Sequence, residues 1–208
     1  MPKRKRSSRR WLDRHVNDPY VQRAQADGYR SRAAYKLLEL QDRDRLLRPG
    51  LRVVDLGAAP GGWSQVAAAA VGRGGRVVAL DVIPLDPIDG VDIIEGDFRE
   101  DDVLRQLTET LGRESLDLVL SDMAPNLSGM KAVDQPRSIY LAELALDFAL
   151  LRLNRGGAMA VKVYHGEGFD DLVRTMRRHF ERVVSRKPKA SRSESRETYL
   201  VAKGARVG

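Results

Sequence analysis

The chain has 208 residues, with 36 Lys and Arg against 29 Asp and Glu, a net charge of +7, and no cysteine. Hydrophobic residues at 42% and charged residues at 31% suit one globular domain and exclude a disordered or fibrous chain. No run approaches the roughly 20 apolar residues of a membrane-spanning helix, and the missing cysteines exclude disulfides, thiolate metal sites and cysteine nucleophiles.

A cysteine-free chain fits a reducing cytosol, so the expected location is the cytoplasm. Met1 to Arg10 holds six Lys or Arg with no apolar run behind it, which is not a secretory signal. Charge is segregated: residues 1–50 sum to +8, residues 51–150 to −9 and residues 151–208 to +8. If the two ends meet in space, they form one cationic surface beside an acidic centre, a stronger pointer to nucleic acid than net charge alone. A basic tail plus ordinary solvated faces is the plainer alternative.

Residues 1–10, MPKRKRSSRR, read as a basic tail without stable structure. Residues 11–208 read as a single domain. Asp18-Pro19 reads as an N-cap followed by proline at the first helical position. Ser31 reads as a second cap, opening the helix RAAYKLLELQDRD, which stops before Pro49-Gly50. Strands and helices then alternate. LRVVDLG is a buried strand, WSQVAAAAV a helix, and RVVALD and VDIIEGD are strands. A helix over residues 100–111 precedes the strand LDLVLSD. The loop MAPNLSGMKAVDQP leads into a long helix with Leu141, Leu144, Ala145, Phe148 and Leu151 on its apolar face. GGAMAVKVY is the next strand. Phe169, Leu172, Val173, Met176 and Phe180 mark an amphipathic helix, and RVVSRKP and RETYLVAK close the chain as an antiparallel pair.

Apolar strands alternating with helices predict a mostly parallel sheet covered on both faces, joined by right-handed crossovers: a doubly wound, Rossmann-like α/β fold. Ligands of such folds lie at the carboxyl ends of the strands. Asp55, Asp81, Asp97 and Asp122 all fall there.

The turn after the first strand, Asp55-Leu56-Gly57-Ala58-Ala59-Pro60-Gly61-Gly62, is a loosened dinucleotide fingerprint. Gly57, Ala59 and Gly62 are its small positions, and an acid, Asp81, lies 24 residues beyond Gly57. Small residues admit a ligand close to the backbone, and Asp81 can accept from both hydroxyls of a ribose. A tight strand-to-helix turn without ligand is the plainer reading. A pyrophosphate needs backbone donors at the helix N-terminus, and Pro60 removes one. S-adenosylmethionine carries no phosphate, and its sulfonium cation suits the acidic centre and Asp122. No G-x-x-x-x-G-K-[ST] run is present, which excludes a P-loop. Trp63 either packs on the ligand or anchors its helix in the core. No metal site is expected.

Lys162 interrupts the apolar strand Ala158-Met159-Ala160-Val161-Lys162-Val163. Burial there favours the neutral amine, and a neutral amine is a general base. A lysine snorkelling to water from the strand's end is the alternative. Lys36 sits on the shoulder of an apolar helical stripe, with Ala33 and Leu40 beside it. Facing Lys162, it would oppose a second positive charge. Asp122 and Glu197 could hold the two amines in register. Their net effect on either lysine is undecided at this level.

The motifs Asp-Leu-Gly-Ala-Ala-Pro-Gly-Gly-Trp-Ser-Gln, Ser-Asp-Met-Ala-Pro-Asn, Val-Lys-Val and Ser-Arg-Glu-Thr-Tyr together resemble the FtsJ/RrmJ family. Arg32-Ala-Ala-Tyr-Lys36-Leu and Asp134-Gln-Pro-Arg137 add to the resemblance, which runs from about Trp11 to Lys203. It implies a seven-stranded sheet of the class I S-adenosylmethionine-dependent methyltransferase type. The implied activity is 2′-O-ribose methylation of a uridine in large-subunit (23S) ribosomal RNA, on the assembled 50S subunit, by a monomer. Lys36, Asp122, Lys162 and Glu197 occupy the family's catalytic positions. Gly61, Trp63, Asp81, Asp97 and Asp122 fall on its cofactor-contacting positions, and Gly57 and Gly62 complete the turn.

The proposed chemistry is an in-line displacement in which a ribose 2′-oxygen attacks the donor methyl, with Lys162 as base and Lys36 assisting. Base N-methylation is the close rival. Enzymes of that kind use an Asp/Asn-Pro-Pro-aromatic turn, whereas Asp122-Met123-Ala124-Pro125-Asn126 lacks the aromatic. A nicotinamide-linked oxidoreductase is weakened by Pro60, and a non-catalytic RNA-binding module leaves Lys162 unexplained. RNA contacts are expected from the basic ends: Lys3 to Arg10, Arg30, Arg32, Arg137, Lys187, Lys189, Arg192 and Arg196. Most would touch phosphate and set register. Only 6% of residues are aromatic, with no clustered stacking platform, so a shaped substrate is expected.

Overall fold

A computed structural model describes residues 18–126, 128–192 and 195–206; the basic tail expected at residues 1–10 lies outside them. Asp18 caps α1 (Pro19–Ala26), its Oδ1 accepting from the Tyr20 amide at 3.0 Å. Pro19 stands at a position whose N–H has no helical partner to lose. Next comes α2 (Ala33–Asp44), which begins without a side-chain cap. Ser31 is therefore not the cap it resembled. Its Oγ lies 2.5 Å from where a Cβ on Gly62 would sit, so Ser31 serves helix packing instead.

Strands and helices then alternate as expected: β1 (Arg52–Leu56), α3 (Gly62–Val71), β2 (Arg76–Asp81), β3 (Val91–Glu95), α4 (Asp101–Leu111), β4 (Leu116–Ser121), α5 (Lys131–Arg152), β5 (Leu153–Tyr164), α6 (Phe169–His179), β6 (Phe180–Arg186) and β7 (Glu197–Ala205). The seven strands form one sheet in the order β3-β2-β1-β4-β5-β7-β6. The first five in that order run parallel. β7 is antiparallel to both β5 and β6. Strand order reverses between β1 and β4, so the crevice lies at the carboxyl ends of those two strands.

Alternation along the strands divides the core. Val53, Val77, Leu118, Leu120, Ala160 and Val201 pack with Leu37 and Leu40 of α2 and Trp63 and Val66 of α3. Val54, Leu56, Val78, Leu80, Val119, Met159 and Val161 pack beneath α4, α5 and α6. Each fully buried leucine or valine contributes about 1.5–3 kcal/mol relative to exposure. Among the described residues, no helix is long and apolar enough to cross a membrane.

The long helix differs from its expected form. α5 begins at Lys131 and contains Pro136, where the sequence placed a loop through residue 136. Asp134 explains the early start: it accepts from the Ser128 amide and hydroxyl, both at 2.8 Å, and from the Gly129 amide at 3.0 Å, folding the incoming loop onto the first turn. Pro136 deprives the Ala132 carbonyl of a helical donor, but both residues are exposed and water can replace it. The buried stripe is Ile139, Ala142, Ala145, Leu146, Phe148 and Ala149. Leu151, expected on the apolar face, is 82% exposed.

Candidate active site

Residues 158, 160 and 162 of β5 share one face by strand alternation, so Lys162 continues the row that Ala158 and Ala160 place against α2 and α3. In the antiparallel register Lys162 pairs with Tyr199, and Tyr164 with Glu197. Glu197 and Tyr199, two residues apart, share that face, and α2 brings Lys36 to it. The structure thus brings Lys36, Asp122, Lys162 and Glu197 together.

Lys36 Nζ lies 2.7 Å from Glu197 Oε1 and donates to the Tyr199 hydroxyl at 3.2 Å. That hydroxyl donates to Asp122 Oδ1 at 2.7 Å. Lys162 Nζ lies 2.9 Å from the same Oδ1 and donates to the Asp122 main-chain carbonyl. The network runs unbroken from Glu197 to Lys162. Tyr199 is its centre, a role not expected for it although it ends the Ser-Arg-Glu-Thr-Tyr motif.

Burial pushes the Asp122 carboxyl up, but the Lys162 and Lys36 ammonium groups and the Tyr199 hydrogen bond outweigh it and hold the group below its ordinary range. Glu197 shows the same balance, burial opposed by Lys36, with the same net direction. Tyr199 is pushed well above the ordinary phenol value by burial and by the Asp122 and Glu197 charges. Lys162 is 8% exposed, so it does not snorkel to water. Nor is it an isolated amine in apolar surroundings, the premise on which a neutral Lys162 was expected. Its burial comes with a carboxylate partner.

The acids at the strand ends divide into distinct environments. Asp55, at the end of β1, is fully buried; its Oδ2 accepts from Ser64 Oγ at 2.6 Å, and its Oδ1 has no partner among the described residues. Burial raises its pKa to about 7, against the Ser64 hydrogen bond and with help from the Asp122 and Asp81 charges. Asp81 accepts from the Ala59 amide at 2.8 Å and the Ile83 amide at 2.9 Å. Asp97 is held below the carboxylate range chiefly by hydrogen bonds from the Arg99 side chain. Val82 and Ile83, directly after Asp81, are apolar yet 57% and 59% exposed, a feature invisible to a strand-and-helix reading.

The glycines of the turn each admit a protein neighbour. A Cβ on Gly57 would stand 2.6 Å from the Met123 amide nitrogen, which lets the β1 and β4 loops meet at the switch point. A Cβ on Gly61 would meet Ile88 Cδ1 at 2.6 Å, and Gly62 makes room for Ser31. Trp63 is 2% exposed; its Nε1 donates to the Ala33 carbonyl at 2.7 Å, and its ring lies 5.5 Å from that of Tyr199. The indole therefore anchors α3 against α2, the second of its two expected roles, and leaves only its backbone toward the turn.

The arginines expected at RNA separate into two groups. Arg32 is turned inward, donating to Asp18 and to the Ala190 carbonyl, with its side chain 14% exposed; it ties α1 to the segment before β7 and is not a surface contact. Arg30 donates to the Asp86 and Pro87 carbonyls at 2.7 and 2.6 Å, clamping the loop after β2. Arg137, Lys187, Lys189 and Arg196 are exposed. Arg192 is 39% exposed and lies 3.9 Å from Asp18.

The donor set fits a cationic cofactor better than an anionic one. Asp55, Asp81 and Asp122 lie close enough for their charges to interact, which gives the strand ends an acidic character.

Comparison with known proteins identifies the family. The sequence pattern described as FtsJ-like methyltransferase matches residues 29–205. The chain is 60% identical over 202 residues to a protein of Alkalilimnicola ehrlichii named ribosomal RNA large subunit methyltransferase E, covering 97% of each. It is 59% identical over 204 residues to the protein of that name from Marinobacter nauticus, covering 98% of this chain and 99% of the other. Among solved structures, a ribosomal RNA methyltransferase from Plasmodium falciparum superposes with a TM-score of 0.75 at 34% identity, over 85% of this chain and 98% of that one. The shared pattern spans the whole sheet and every residue of the network, and the chain belongs to the FtsJ-like methyltransferase family.

Proposed function

We propose that the chain transfers a methyl group from S-adenosylmethionine to the ribose 2′-hydroxyl of a uridine in large-subunit ribosomal RNA, on the assembled 50S subunit. The observation that carries this reading is Lys162: an amine buried at a strand's carboxyl end and held by Asp122 within the Lys36–Tyr199–Glu197 network. Both named relatives are large-subunit ribosomal RNA methyltransferases, and the exposed Lys187 and Arg196 line a cleft with Glu197.

In this reading the backbone of the Gly57–Trp63 turn, including Gly61 and Gly62, holds the cofactor together with Asp81, Asp97 and Asp122. The exposed Val82 and Ile83 would offer apolar surface to the cofactor's ring. The bound cofactor supplies an electrophilic methyl group on a cationic sulfur. Asp122 would bear on that positive charge while orienting Lys162. Lys162, once it has given up its ammonium proton to water, would take the proton of the ribose 2′-hydroxyl at Nζ. Lys36, held by Glu197, fixes the ribose and keeps a second positive charge beside Lys162. Most of the rate enhancement comes from positioning in a site closed to water.

Lys162→Ala tests the scheme. Tritium-methyl transfer to large ribosomal subunits is expected to vanish, while equilibrium dialysis shows S-adenosylmethionine binding near wild type. Near-normal turnover removes Lys162 as the base. A methyl group found on a base nitrogen favours the rival reaction.

A further inference from the structure

A cleft of about 520 Å³ opens beside the reacting network, lined by His165, Gly166, Lys187, Arg196, Glu197 and Thr198. One wall, Glu197, is the residue that holds Lys36 at 2.7 Å, so the cleft and the network share a boundary. Its rim carries two exposed cations, Lys187 and Arg196. Lys187 Nζ is oriented by donating to the Ser195 carbonyl.

Another lining residue, His165, offers a flat ring. His165 is exposed and stacks on Phe169, the buried first residue of α6, with ring centroids 3.9 Å apart and planes 24° from parallel. Its loop is fixed from two further sides. The His165 amide donates to the Arg196 carbonyl at 3.4 Å, and Gln135 of α5 donates to the Glu167 carbonyl. A Cβ on Gly166 would lie 2.8 Å from Gln135 Cδ, so the loop sits flush against α5. The imidazole is thus presented at a set height and tilt. Flat rings combined with cations are the elements that hold unstacked nucleotides, the ring by stacking and the cations by phosphate contact. A volume of this order accommodates one nucleotide.

We propose that this cleft seats the nucleotide that receives the methyl group: its base stacks on His165, its phosphate lies on Lys187 and Arg196, and its ribose faces Glu197 and the network beyond. The inference rests on the ribose-methylation reading above and adds the subsite for the acceptor. His165 is assigned as a positioning residue that acts on the base and leaves the reacting atoms untouched.

The test is steady-state methyl transfer to large ribosomal subunits from cells lacking the protein, with wild type, His165→Ala, His165→Phe and Lys187→Gln. His165→Ala is expected to raise KM for subunits roughly tenfold with kcat and S-adenosylmethionine affinity little changed. His165→Phe restores KM to within about twofold, because stacking tolerates any flat ring. Lys187→Gln raises KM and weakens its dependence on salt. An unchanged KM in His165→Ala, or no recovery in His165→Phe, overturns the proposal. Wild-type protein that methylates no subunits defeats the ribose-methylation reading itself. The cleft is then judged by fluorescence anisotropy with a single-stranded RNA of about ten nucleotides, where equal affinities of wild type and His165→Ala overturn it and weaker binding by His165→Ala supports it.

Discussion

The Tyr199 hydroxyl donates to Asp122 Oδ1 at 2.7 Å, joining β7 to the loop after β4 across 77 residues of sequence. Through it the Lys36–Glu197 pair and the Asp122–Lys162 pair become one network. Tyr199→Phe keeps the ring against Trp63 and deletes only the bridge. A hydrogen bond to a charged group contributes about 1.5–3 kcal/mol, so urea unfolding should show a loss of that order. Single-turnover methyl transfer should fall roughly 10- to 100-fold while S-adenosylmethionine still binds. Wild-type transfer in Tyr199→Phe would show that the two pairs work independently.

Asp55 makes stability depend on pH in an unusual direction. Its folded-state pKa of about 7 lies above the ordinary 3.8, so between those values the folded chain holds a proton that the unfolded chain releases. Stability from this group is therefore complete at low pH and lost as pH rises from about 4 to about 7, by up to roughly 4 kcal/mol. Asp55→Asn removes the dependence. Urea unfolding at both ends of that window should show wild type losing more stability than Asp55→Asn as pH rises. Parallel behaviour would mean that Asp55 ionises normally in the folded chain.

Arg186 grips Asp44 with two hydrogen bonds, at 2.8 and 2.7 Å, fastening β6 to the end of α2. Asp44 is 6% exposed, and Lys203 Nζ also donates to its carbonyl at 2.8 Å. Arg186→Ala leaves a buried carboxylate without its partner, at a cost of about 3–5 kcal/mol. Thermal unfolding should record the drop. S-adenosylmethionine affinity, measured below the transition, should not change.

Binding to large ribosomal subunits should weaken steeply with salt, and removing an exposed arginine should flatten that dependence. Arg137→Ala and Arg196→Ala are each expected to reduce the log–log slope by about 0.7–0.9, one phosphate contact apiece. Arg32→Ala should leave the slope unchanged and lower stability instead, because its guanidinium is committed to Asp18 and Ala190. A flattened slope for Arg32→Ala would place it on the RNA after all.

The alternation of strands and helices was legible because each strand is apolar along its length, whereas Lys36 and Glu197 were marked chiefly by the family resemblance. Lys162 is conspicuous as a charge in a greasy strand. Tyr199 is not, since a tyrosine suits a strand core and its partner lies far away in sequence. Arg32 misled for the opposite reason: a surface-type residue inside a basic segment gives no sign that Asp18 and the Ala190 carbonyl turn it inward. Ser31 and Leu151 show the same limit. A cap and a helical stripe are local patterns, and the neighbours that decide them, Gly62 in one case and the placement of α5 in the other, are tertiary.

The most direct test is mass spectrometry of nuclease-digested large-subunit ribosomal RNA from cells lacking this protein. The expected result is the loss of a single 2′-O-methyluridine, restored by the wild-type gene and not by Lys162→Ala. An unaltered set of ribose-methylated nucleosides in the deleted strain, or restoration by Lys162→Ala, would contradict it.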